Sequence, residues 1–280
     1  MWDRIKKLWQ KEHSAHQPLL LLSEEEQYQQ LEQTNDALRQ GQYQTAERLA
    51  QQLSTSHIED VAINGQRFLG LVYFHQQHYA QAWPIFKELA SRTQSVSDWF
   101  NVVTSATLAG NLQQGTNAFE NAIKAHEESL DTPGLSVASM HLYFACALRD
   151  QSAYEQAFEH VQILRALYEK LPQTDARLLD LRNFPRVDAV LDLMVDVLSQ
   201  SGDIPEAQEW LLEFGGKLKG TPPELIDAAI ARLLSLAPPK KPEAEPEPKQ
   251  PLKPAAPTTP RDRQIPLPME LREDKDPRLD

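Results

Sequence analysis

The chain has 280 residues, 41% of them hydrophobic, so it can bury a sizeable core. Its formal charge is −12 at pH 7. Residues 1–17 carry +2 and residues 238–280 carry no net charge, so residues 18–237 carry −14. An acidic body repels phosphate backbones, which argues against a nucleic-acid partner, and one cysteine, Cys146, excludes an internal disulfide framework.

No apolar run approaches the ~20 residues that a membrane span needs. The run Leu19–Leu22 follows a charged leader and does not read as a signal peptide. We therefore expect a cytoplasmic protein.

Residues 1–22 predict a short basic helix and a linker. The apolar residues that fall on one side of this helix are Trp2, Ile5, Leu8 and Trp9. Three interpretations stay open: packing on the first helical unit, docking onto a partner, or weak anchoring at a lipid surface. The last would place the protein peripheral to the inner membrane.

Residues 23–237 predict a helical body. Ser23 and Glu26 form a capping box that opens its first helix. Ser152 with Glu155, and Asp203 with Glu206, predict helix starts of the same kind. No strand-like alternation of note appears, so the fold is predicted to be all-α.

One segment has a small residue in each of two successive helices. Gly70 and Ala82 predict a close crossing of the two helices, with Leu69, Tyr73 and Phe86 filling the seam around it. The pattern recurs when each later small residue is aligned with a turn residue five positions earlier. The resulting pairs are Gly41 and Ala46, Gln77 and Ala82, Gly110 and Gly115, Ser152 and Ala157, and Gly202 and Ala207.

These segments resemble tetratricopeptide repeats, whose units are about 34 residues long. The small residues are 36, 33, 42 and 50 residues apart, so the later units need longer helices or loops. Trp99 stands where the family favours tryptophan. The resemblance covers residues 24–220 and implies a right-handed α-solenoid of about five hairpins.

Two further features complete the body. Asn183 to Pro185 predict a break in what would otherwise be one long helix, since proline removes a hydrogen bond and restricts the residue before it. An apolar stripe from Leu225 to Leu234 predicts a helix that closes the solenoid.

The resemblance also implies a concave groove, lined by the first helix of each unit. In the first three units its predicted lining residues are Leu31, Asn35, Leu38, Arg67, Leu71, Phe74, Phe100, Thr104 and Thr107. In the last two they are Leu142, Cys146, Arg149, Asp192, Asp196 and Ser199, with Asp188 one turn before Asp192. We call these residues the groove positions.

Asp188, Asp192 and Asp196 follow at intervals of four residues and share one helix face. This stripe predicts either a solvated outer face or an acidic end of the groove that receives Lys or Arg from a partner. The donors Asn35, Arg67 and Arg149 do not follow the pattern by which some family members clamp a C-terminal carboxylate.

Residues 238–280 contain 12 of the 20 prolines and predict a disordered charged tail. A short apolar segment within this tail, Ile265–Leu271, is interpreted either as a docking motif or as chance composition.

The sequence offers no catalytic constellation. The pairs His13 and His16, and His75 and His78, lack further ligands nearby, so neither a metal site nor a cofactor is predicted. We expect a non-enzymatic adaptor or scaffold that binds a peptide or helix with apolar and basic residues. The alternatives are a secretion-type chaperone, and a membrane-associated assembly factor tethered by the N-terminal helix.

Overall fold

The computed structural model describes residues 22–129, 134–200 and 202–236. Every helix or strand element in these ranges is an α-helix, which confirms the all-α prediction. The first six are α1 (Glu24–Arg39), α2 (Tyr43–Leu53), α3 (Glu59–His75), α4 (Tyr79–Thr93), α5 (Val96–Leu108) and α6 (Leu112–Glu128). They are followed by α7 (Val137–Asp150), α8 (Tyr154–Glu169), α9 (Ala176–Leu181), α10 (Val187–Leu198), α11 (Ile204–Lys217) and α12 (Pro223–Leu236).

The helices form two compact units, which are distinct from the predicted repeat units: α1 to α6 belong to the first and α7 to α12 to the second. In the first unit each helix from α1 to α5 packs against the next one along the chain, and α1 also contacts α3. In the second unit α7 packs on α8 and α11 on α12, while α10 contacts α7, α8 and α12. The N-terminal helix predicted around Trp2, Ile5, Leu8 and Trp9, and the predicted tail, lie outside the described residues.

The five predicted turn residues share one backbone conformation. Each has a positive φ, namely Gly41 at 70°, Gln77 at 61°, Gly110 at 82°, Ser152 at 60° and Gly202 at 78°. At the first turn the Gly41 amide donates to the Leu38 carbonyl (3.0 Å) and the Gln42 amide to the Ala37 carbonyl (2.8 Å), which is the Schellman arrangement. The same pair of bonds closes the turns at Gln77, Gly110 and Ser152.

Helix starts agree with the sequence in two of three cases. Ser23 and Glu26 form the reciprocal capping box, and Asp203 accepts a hydrogen bond from the Glu206 amide (3.0 Å). The prediction that Ser152 caps α8 is wrong: this residue occupies the left-handed turn position, so Ala153 becomes the N-cap, without a side-chain bond.

Small residues mark close approaches between neighbouring helices, as predicted. The five aligned small residues are all buried. At Gly70 an added Cβ would lie 2.5 Å from Cε1 of Phe86, so the missing side chain makes room for this ring. At Gly115 it would lie 2.1 Å from Oγ1 of Thr107. In each case the neighbouring helix occupies the space that a side chain would need.

The predicted break near Pro185 is confirmed. Helix α9 ends at Leu181 and α10 begins at Val187. Three side chains bind the connection: the hydroxyls of Ser136 and Ser139 donate to the Asn183 carbonyl (2.7 and 2.9 Å), and that of Tyr168 donates to the Pro185 carbonyl.

The predicted closing helix is α12. Its buried residues are Ile226, Ala229 and Leu233, which share one face, and the helix packs on α10 and α11.

Candidate functional site

Most groove positions of the first unit are buried within it. The six buried ones are Leu38, Leu71, Phe74, Phe100, Thr104 and Thr107. Leu31, Asn35 and Arg67 are partly exposed. In this arrangement only these three side chains can be reached by a partner, and the other six stabilise the packing of α1, α3 and α5.

The guanidinium of Arg67 is already engaged inside the protein. Its Nε and Nη2 donate to the two carboxylate oxygens of Asp98, at 2.8 and 2.7 Å, and its Nη1 donates to Asn64 (2.5 Å). Asp98 is fully buried and also accepts a bond from Thr93 (2.8 Å). Because the pair joins α3 to α5, the first role of Arg67 is to tie two helices together.

Arg149 and Asp196, two predicted groove positions, bind each other in the second unit. Nη1 of Arg149 lies 2.9 Å from Oδ2 of Asp196, and Nε of Arg149 also donates to Asp150 (2.9 Å). Arg232, from α12, donates to the other oxygen of Asp196 and to Oδ1 of Asp192 (2.7 Å). We call these residues of α7, α10 and α12 the arginine–aspartate network.

The arginine–aspartate network binds two carboxylates of the predicted acidic stripe, Asp192 and Asp196, within the protein. Asp196 is only 9% exposed and is held between two guanidinium groups. Asp188 and Asp192 remain exposed, and Asp188 lies 3.5 Å from the Arg186 guanidinium. A basic partner would therefore meet carboxylates that the chain's own arginines already attract. Sequence reasoning missed Arg232, which is 36 residues from Asp196 and has no local spacing signal.

The two remaining lining residues of α7 are structural in this arrangement. Leu142 is buried. Burial raises the pKa of the Cys146 thiol to about 11. The positive charge of the nearby Arg149 lowers this pKa, but by less than burial raises it. The thiol is therefore protonated at neutral pH and a poor nucleophile.

Two histidines that the sequence analysis did not single out meet between α7 and α8. Nδ1 of His141 lies 2.7 Å from Nδ1 of His160, so one ring donates to the other. Phe144 covers the His160 ring, with centroids 4.7 Å apart. Burial lowers the pKa of both imidazoles to about 4, and for His160 the neighbouring His141 adds to the effect.

A cleft of about 400 Å³ opens between the start of α8, the end of α10 and the start of α11. Aromatic side chains of Tyr154, Phe158 and Trp210 form much of its wall, and Glu155 and Glu206 supply carboxylates. Sequence reasoning missed this cleft because it placed recognition on the first helices, whereas most of these side chains belong to second helices.

Within 22–129, 134–200 and 202–236, no three His, Cys, Asp or Glu side chains are grouped so that they could hold a metal ion. In those same ranges no helix combines the length and the apolar character needed to cross a bilayer.

The chain matches no protein-family model, and no curated protein matches it significantly.

Proposed function

We propose that this chain is a non-enzymatic adaptor or scaffold made of tetratricopeptide-type hairpins. In each unit the hairpins stack with a right-handed turn, and the first helices present a surface to a peptide or helix of a partner protein. The supporting observation is the repeated hairpin: five turns with a left-handed residue, each followed five positions later by a buried small residue. Tetratricopeptide solenoids use such stacking to build extended binding surfaces.

The partner-facing residues of this proposal are the groove positions that remain accessible. They are Leu31 and Asn35 on α1, and Asp188 and Asp192 on α10. Leu31 favours an apolar contact, while the two carboxylates favour Lys or Arg. Arg149 and Asp196 act indirectly, because their ion pair ties α7 to α10, the helix that carries Asp188 and Asp192. The guanidinium of Arg67 is taken up by Asp98, and this pair joins α3 to α5.

Site-specific photo-crosslinking in cells tests this proposal. A photoreactive amino acid replaces Leu31, Asn35 or Asp192 in the full chain, and as controls it replaces Glu88 on α4 or Glu120 on α6, which are exposed residues of second helices. We expect one discrete protein adduct from the first-helix positions and none from the controls.

Two outcomes would contradict the proposal. Adducts of equal yield from both sets of positions would remove the assignment of binding to the first helices. A heterogeneous ladder of adducts would show that many clients bind, as for the chaperone alternative.

A further inference from the structure

The cleft between α8, α10 and α11 combines a size and a lining that suit one kind of side chain. At about 400 Å³ it lies within the range of small-ligand sites. The rings of Phe158 and Trp210 stand with centroids 6.4 Å apart. Leu198 and Val197 add aliphatic surface beside them. An occupant must therefore bring an apolar or planar portion.

The carboxylates of the cleft restrict the occupant further. Glu155 and Glu206 are both exposed, and among the residues that the structure describes neither forms an ion pair. The lining contains no Lys, Arg or His that would compensate them. A purely apolar occupant would desolvate these charges without a partner, and an anion would be repelled.

Trp210, one of the aromatic residues of the cleft, already contacts a cationic side chain of this protein. The guanidinium carbon of Arg165 lies 4.5 Å from the ring centroid of Trp210. Nε of Arg165 donates to Glu169 and its Nη2 donates to Glu213, at 2.7 and 3.0 Å. A guanidinium group can stack on an aromatic ring while its N–H groups bind carboxylates in its own plane. The contact with Arg165 shows that Trp210 takes part in such an arrangement.

We propose that the cleft is a binding site for an arginine side chain of a partner peptide. The aliphatic stem lies on Leu198 and the aromatic wall, and the guanidinium binds between Glu155 and Glu206. The site uses side chains other than the groove positions, so it does not depend on the function proposed above.

The test uses the full chain and a minimal probe, N-acetyl-arginine methylamide. Its neutral analogue, N-acetyl-citrulline methylamide, has almost the same shape and no charge. Binding is followed by the NMR signal of the Trp210 indole N–H, identified with the Trp210→Phe variant. We expect a saturable shift with the arginine probe, weakened at least about fivefold by the combined substitutions Glu155→Gln and Glu206→Gln.

A matched variant separates the site from general attraction by an acidic protein. Glu159→Gln with Glu209→Gln removes the same charge from exposed positions of α8 and α11 that do not line the cleft. This variant should bind the arginine probe within about twofold of the unchanged chain. An equal response to citrulline, an equal loss in the matched variant, or no saturable shift would overturn the proposal.

Failure of this test would leave the proposed function untouched, because crosslinking from Leu31, Asn35 and Asp192 reports on other helices. Conversely, a negative crosslinking result would not affect binding of the arginine probe.

Discussion

At the scale of single residues, a missing Cβ decides how closely two helices of the first unit approach. Phe86 of α4 is fully buried, and its ring fills the space beside Gly70 of α3. The atoms that would clash are part of a rigid ring inside a packed core, so they cannot swing away as the end of a flexible side chain could.

We therefore predict that Gly70→Ala destabilises the protein by about 1–3 kcal/mol, although alanine is the better helix former. In urea unfolding, Phe86→Leu should reduce this cost, so the two substitutions together should cost less than the sum of each alone.

Gly216→Ala is the matched control for Gly70→Ala. Gly216 also lies within a helix, α11, but nothing stands within 4 Å of the position of an added Cβ. Here the helix propensity of alanine acts alone and should stabilise by up to about 1 kcal/mol. Equal effects at the two glycines would contradict the role given to Phe86.

At the scale of the elements, ion pairs between helices that are far apart along the chain stabilise the fold more than the charge pattern of a single helix does. Asp192 and Asp196 lie one turn apart on α10 and both bind Arg232. Their side chains differ in exposure, at 71% for Asp192 and 10% for Asp196. Since solvent screens exposed pairs, the two contacts cannot contribute equally.

We predict that Asp196→Asn costs about 3 kcal/mol in the free energy of unfolding, because it leaves parts of two guanidinium groups without their carboxylate. The same substitution at Asp192 should cost less than about 1 kcal/mol. Chemical denaturation of both variants measures the difference, and similar losses would show that the arginine–aspartate network does not tie α7, α10 and α12 together.

This difference also bears on how the groove can be probed. A charge reversal at Asp196 would destabilise the packing of α10, so a loss of partner binding in this variant would not identify Asp196 as a contact residue. Asp192 and Asp188 are exposed, so substitutions there report on recognition with less effect on the fold.

At the scale of the whole molecule, the pair of His141 and His160 makes stability depend on pH. The pKa of each imidazole is about 4 in the folded protein, below the ordinary value of 6.5. Between pH 6.5 and 4 the unfolded chain therefore binds more protons than the folded one. Stability should fall as pH is lowered through this window and should depend no further on this pair below about pH 4.

We predict that replacing both histidines by glutamine makes the decline of unfolding free energy between pH 6.5 and 4 shallower, by the equivalent of one to two protons. The exposed His57, replaced by Asn, is the control and should leave the slope unchanged. Slopes that coincide for the unchanged chain and the double variant would refute this role for the pair.

The sequence by itself determined the helices and their turns. The left-handed turn residues, the Ser23 capping box and the break at Pro185 were predictable because each depends on residues within about five positions along the chain. Ser152 shows the limit of such rules, since a serine can either cap a helix or stand in the turn before it.

Only the tertiary structure decided which side chains remain available to a partner. Arg67 binds Asp98, Arg149 and Arg232 bind Asp196, and His141 meets His160, through contacts between residues 19 to 47 positions apart. Those pairings depend on how helix faces meet. The physical reason is that charge and burial act through space, so a pattern along the chain fixes where helices begin and end but not what their side chains touch.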